Sequence, residues 1–153
     1  MRKISTLAII VCTAALLSSL DSFARKITPF QGGKGWGVQG AYNRLYNAHS
    51  VETLRGVIVS TGTVEPMTGM GPGIELLLQT DAGTVSVHLG PEWYVNNQDK
   101  RLVVRDHLEI KGSRVTCEGK AVIMASQVAR GIELFTLRDE QGRPVWDGWT
   151  PRM

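Results

Sequence analysis

Hydrophobic and polar positions alternate most clearly between Gly73 and Val95. Ile74, Leu76 and Leu78 alternate with Glu75, Leu77 and Gln79; Asp81-Ala82-Gly83 supplies a turn; Val85, Val87 and Leu89 then alternate with Thr84, Ser86 and His88. A period of two on both sides of a turn predicts a β-hairpin with one apolar face, which must bury against something. Gly90-Pro91 stops the second strand. Glu92-Trp93-Tyr94-Val95 then reads as a short helix, with Pro91 at its first position and Glu92 beside the positive helix end.

The same reading places strands on either side of the hairpin. Val51 to Val64 is a long strand with Val57, Val59 and Thr61 on one side and Gly56, Ile58 and Ser60 on the other. Apolar residues on both faces, with Gly56 and Gly62, predict a strand that bends and serves two sheets. A Pro, Gly and Met loop, Glu65 to Gly73, leads into the hairpin, and a polar loop, Asn96 to Arg101, follows the helix. In the fourth strand Leu108 and Ile110 alternate with His107, Glu109 and Lys111, and the apolar parity switches at Gly112-Ser113 before Val115 and Cys117. A bulge or sharp bend is expected there. Glu118-Gly119-Lys120 turns the chain into a fifth strand, Ala121 to Val128. Ile132 to Leu137 reads as a strand, Asp139 to Gly142 as a turn, and Pro144 to Trp149 as a return segment whose Trp146 and Trp149 cover a core edge.

Five short strands with a helix between the third and fourth predict an all-β fold, an OB-fold-like Greek-key barrel spanning residues 51–130. Residues 131–153 form a C-terminal β extension packed on it. A β-sandwich is the alternative, although it has no need of that helix.

The ends differ in composition. Arg2 and Lys3 precede an apolar run from Leu7 to Leu17 broken only by Thr13, and Ser22-Phe23-Ala24 places small residues where a signal peptidase reads them. Residues 1–24 are therefore expected to be a signal peptide, cleaved after Ala24. The run falls well short of the roughly 20 residues a membrane-spanning helix needs. Residues 25–50 read as a flexible or irregular arm, with Gly32, Gly33, Gly35, Gly37 and Gly40 around Trp36. The spacing of Gly35, Gly37 and Gly40 matches a dinucleotide fingerprint only formally, since no strand precedes it and no βαβ unit surrounds it. The leader contains two of the 17 basic residues and one of the 14 acidic ones, so the remainder is only mildly basic and implies no polyanionic partner. Cys117 is the only cysteine outside the leader, which leaves no intramolecular disulfide. It reads as a small buried apolar residue, with an intermolecular disulfide as the minor alternative.

No set of residues has the spacing of a catalytic centre. There is no nucleophile elbow, HExxH or Cys-x-x-Cys, and His49, His88 and His107 fall in different segments. The reading is therefore a binding module and not an enzyme. His88, Thr84 and Ser86 lie off the apolar face of the hairpin and, with Trp93 and Tyr94, make the candidate ligand-binding surface. The four residues Trp93, Tyr94, Trp146 and Trp149 either close the barrel ends or form such a surface. A partly exposed His88 with one hydrogen-bond partner is the plain alternative to a ligand-binding one. No cofactor is required. Met67 and Met70 are soft ligands that with His88 could hold copper(I), which defines the alternative of a metal or cofactor handling protein. Single-stranded nucleic acid is the third reading. It requires aromatic platforms in a basic groove, and the outward row Glu75, Leu77, Gln79, Thr84, Ser86 and His88 offers neither. Lys111, Arg114 and Lys120 read as a solvated face.

Several phrases carry a resemblance. Tyr42 to Asn47, Val51 to Gly56, Val85 to Tyr94, Gly112 to Thr116 and Leu137 to Trp146 together resemble a family of small exported bacterial OB-type proteins of uncharacterised function. More loosely, the chain is similar to OB-type periplasmic proteins and to OB-type proteins associated with magnetosomes. The resemblance implies an OB-type fold and export to the periplasm or beyond, and transfers no catalytic residue. The expected partner is an envelope protein, a peptide or a small ligand.

Overall fold

The computed structural model describes residues 34–149, so the expected signal peptide and cleavage site lie outside the described residues. Six strands form one sheet: β1 (Val51–Val64), β2 (Gly73–Thr80), β3 (Gly83–Pro91), β4 (His107–Cys117), β5 (Lys120–Arg130) and β6 (Glu133–Thr136). The helix α1 is a single turn, Glu92–Val95. The strand order is β3-β2-β1-β4-β5-β6, and a parallel pairing of β3 with β5 at Val87↔Ile123 and His88↔Met124 closes the ring. This is the connectivity expected of an OB-like barrel, with β6 added along β5. Pro91 caps α1 and is still extended, with ψ 142°, so the helix begins one residue later than its proline suggests.

β1 bends as its pattern predicts. Val51–Val57 pair with β4, and Val57–Val64 pair with β2. Gly56 stands at the changeover, where a Cβ would lie 2.3 Å from the Gln79 carbonyl oxygen. A bulge between Ile58 and Ser60 then changes which residues face inward. Ile58 pairs with buried Leu78, but beyond the bulge Thr61 pairs with buried Leu76 and Thr63 with Ile74. Thr61 therefore shares the inner face with Ile58, not the face of Val57 and Val59 to which unbroken alternation assigned it.

The parity switch in β4 is present too. Leu108 and Ile110 are buried on one side, Ser113 and Cys117 on the other, and the β4·β5 register slips between Lys111 and Gly112. The extra residue belongs to β5: Lys111 pairs with Gln127 and Gly112 with Ala125, leaving Ser126 bulged, with its hydroxyl donating to the Lys111 carbonyl at 3.0 Å.

The barrel has a second buried face because residues 34–50 cover its outside. They form two single-turn 3-10 helices, Asn43–Leu45 and Ala48–Ser50, and bring Trp36 and Tyr42 into the core at 1% and 2% exposure. The Trp36 indole donates to the Gly71 carbonyl at 3.0 Å, and the Trp146 indole donates to the Trp36 carbonyl at 2.9 Å. The two ends of the described chain thus meet. Arg138 is buried between them, its guanidinium 5.4 Å from the Tyr46 ring centre and 5.1 Å from that of Trp146. It donates to the Asn43 side chain and to the Gly142 carbonyl, and among the described residues no carboxylate pairs with it. Burial pulls its pKa down from the usual guanidinium value, while the aromatic faces and carbonyl dipoles stand in for a counter-ion. Cys117 is buried, its thiol donating to the Pro66 carbonyl at 3.0 Å, and burial pushes its pKa up, as befits an inert packed residue.

Candidate functional site

The hairpin register gathers the predicted polar row. Glu75 lies opposite His88, Leu77 opposite Ser86 and Gln79 opposite Thr84. These side chains satisfy one another: Thr84 donates to Gln79 at 2.8 Å, Ser86 donates to Glu75 at 2.6 Å, and His88 Nε2 lies 3.4 Å from the same carboxylate. The other ring nitrogen, Nδ1, is 3.1 Å from the Tyr42 hydroxyl. The expectation of a partly exposed histidine is therefore corrected. His88 is only 4% exposed, because Tyr42 covers the outer face on which His88, Met124 and Ser113 meet by register.

Burial is the largest influence on His88 and lowers its pKa from the ordinary 6.5, against the raising effect of Glu75. A histidine whose folded pKa is depressed resists a proton that the unfolded chain accepts. Its contribution to stability is complete above the unfolded value near 6.5 and is lost as pH falls from there toward the folded value. Urea unfolding should therefore show stability falling between pH 7 and pH 5. A His88→Gln variant should lack that slope, and an unchanged slope in the variant would assign the effect elsewhere.

The remaining sequence-predicted residues are engaged differently. Trp93 stacks on Trp149 with ring centres 5.6 Å apart, and Tyr94 meets Trp146 at 5.8 Å and Trp149 at 5.2 Å. This aromatic group ties α1 to the C-terminal segment and does not extend the His88 row. Met70 lies against Gly35 and, like Met67, packs on the core, whereas both ring nitrogens of His88 face Tyr42 and Glu75. Among the described residues there is no group of three or more His, Cys, Asp and Glu side chains placed to hold a metal ion.

A second feature escaped the sequence reading. A cavity of about 330 Å³ opens where the barrel wall is incomplete, between the second half of β1, α1 with its following loop, and β5–β6. Leu76, Leu89, Val128 and Phe135 form its floor, with Val95 and Leu102 at the side toward the loop. Thr61 and Thr63 point inward here yet are exposed, because no other described residue covers the inner face at that place. One turn of helix is too short to close the opening. Among the described residues, Lys100 and Arg101, both positive, are the only charged ones lining it. The loop that carries them is held by Arg130, which donates to the Arg101 carbonyl at 2.7 Å and to Asp106 at 2.8 Å, and pairs with Glu133 at 2.7 Å.

Residues 50–135, the whole barrel with all but the last residue of β6, match the model of the MamS/MamX magnetosome protein family. The chain belongs to this family. The match covers more than half of the 153 residues and includes the hairpin row, α1 and every strand that lines the cleft. Among curated proteins, none matches the chain. No helix among the described residues of this MamS/MamX family member is long and apolar enough to cross a membrane.

Proposed function

We propose that this MamS/MamX family member is a non-catalytic binding module, exported to the periplasm or beyond, that takes its ligand in the cleft of the open barrel. One observation carries the reading: Thr61 and Thr63 stand on the inner face opposite Leu76 and Ile74, yet are open to solvent. A barrel interior left accessible beside apolar side chains is where a small ligand gains most from burial. The wiring of the hairpin row favours binding over catalysis. The Ser86 hydroxyl is committed to Glu75, so His88 is not placed to activate it as a nucleophile. Export is supported by the basic start, the apolar run and the Ser22-Phe23-Ala24 cleavage pattern.

Native mass spectrometry of the protein isolated from its host's envelope tests both parts. The expected species begins at Arg25 and carries a ligand mass that is lost on denaturation and absent from a Thr61→Trp variant. A chain still beginning at Met1, or a bare protein in every preparation, would refute the corresponding part.

A further inference from the structure

We infer that the cleft binds a single-chain amphiphilic carboxylate, its alkyl chain on the Leu76, Leu89, Val128 and Phe135 floor and its carboxylate at Arg101. The inference rests on the cleft being the binding site and adds the chemical class of the ligand. Size comes first. An apolar cavity of about 150 Å³ accommodates one benzene ring, so about 330 Å³ suits an alkyl chain of roughly ten carbons. A molecule of that length gains from leaving water along its whole chain.

Charge chooses the head group. Among the described residues, both ionised ones lining the cleft are cations, and the Arg101 guanidinium enters no hydrogen bond or ion pair. Lys100 is only loosely held, 3.7 Å from Glu133 and 5.7 Å from the centre of the Phe135 ring. Of the acidic groups beside this loop, Asp106 and Glu133 are both bound to Arg130, and the exposed Asp99 does not line the cleft. The Val103 amide and then Arg130 hold the Asp106 carboxyl below its usual range, and Arg130 does the same for Glu133. A planar guanidinium with free donors matches a carboxylate in bidentate fashion. The same clamp on the Arg101 carbonyl fixes the backbone from which that side chain reaches out. The site is thus apolar within and cationic at its rim, the complement of a fatty carboxylate.

Titration with decanoate, decanol and acetate, followed by calorimetry and by displacement of the neutral dye Nile red, tests the assignment. Decanoate should bind with one site per chain and displace the dye, decanol should bind at least tenfold more weakly, and acetate should not bind. Arg101→Glu lies on an exposed loop and leaves the core intact, and it should weaken decanoate at least tenfold while leaving decanol unchanged. Thr61→Trp should abolish dye and decanoate binding together. Dye binding that Thr61→Trp removes, with decanoate no better than decanol, would overturn the carboxylate and leave the cleft as the binding site. No dye binding to the wild type would overturn both. An extended apolar peptide displacing the dye where decanoate cannot would replace the amphiphile with a polypeptide ligand.

Discussion

Replacing Trp36 by alanine is expected to cost about 3–5 kcal/mol, the range for removing a fully buried large aromatic. Trp36 is 1% exposed and lies edge-on to Tyr42, with ring centres 5.0 Å apart, and to Trp146 at 6.0 Å. Its ring presses on backbone: a Cβ on Gly73 would fall 2.4 Å from the indole. Alanine would open a cavity on the outside of the barrel and leave the Gly71 carbonyl without its donor. It would also remove the support of the Tyr42 ring, and with it the cover over His88. For a domain of ordinary stability, about 5–15 kcal/mol in total, such a loss is a large share. Urea unfolding of the variant, monitored by circular dichroism, measures it. A loss below about 1 kcal/mol would mean that residues 34–50 lie on the barrel without stabilising it.

Gly56→Ala is expected to destabilise by about 1–3 kcal/mol although it adds a single methyl group. The new Cβ would sit 2.3 Å from the Gln79 oxygen and 2.9 Å from both the Gln79 carbonyl carbon and Leu78 Cγ. The first two of those atoms are backbone, and they belong to the start of the β1·β2 ladder at Val57↔Gln79, while Gly56 itself is paired with Leu108 on β4. Neither neighbouring strand is free to retreat, so the strain falls on the changeover that closes the barrel. Gly62 in the same strand supplies the comparison, since a Cβ there meets nothing within 4 Å. Gly62→Ala should change stability by no more than about 0.5 kcal/mol. Equal effects at the two glycines in parallel unfolding curves would show that close backbone approach is not what Gly56 provides.

The strands were legible because alternation is local. The β1 boundaries, the hairpin turn and the β4 parity switch each follow from side chains a few residues apart, and a period of two leaves a strand little choice of faces. The bulge near Val59 was less legible. It shifts every later residue of β1 to the opposite face, and its position depends on how β2 pairs, so Thr61 and Thr63 gave no local sign that they point inward. Trp36 lacked a signal of another kind. Surrounded by glycines, it belongs to no periodic segment, and its burial depends on contacts with Gly71, Gly73 and Trp146, distant in sequence.

By itself, then, the sequence determined the all-β class, the strand order of an OB-like barrel and the polar row on the hairpin. These follow from local alternation and from turns. The tertiary structure alone decided that His88 is covered, that Arg138 is buried with no carboxylate partner among the described residues, and that the described barrel stays open beside Thr61. Alternation tells a strand which side chains share a face, but what covers that face, or leaves it uncovered, is settled only when distant segments compete for the same surface.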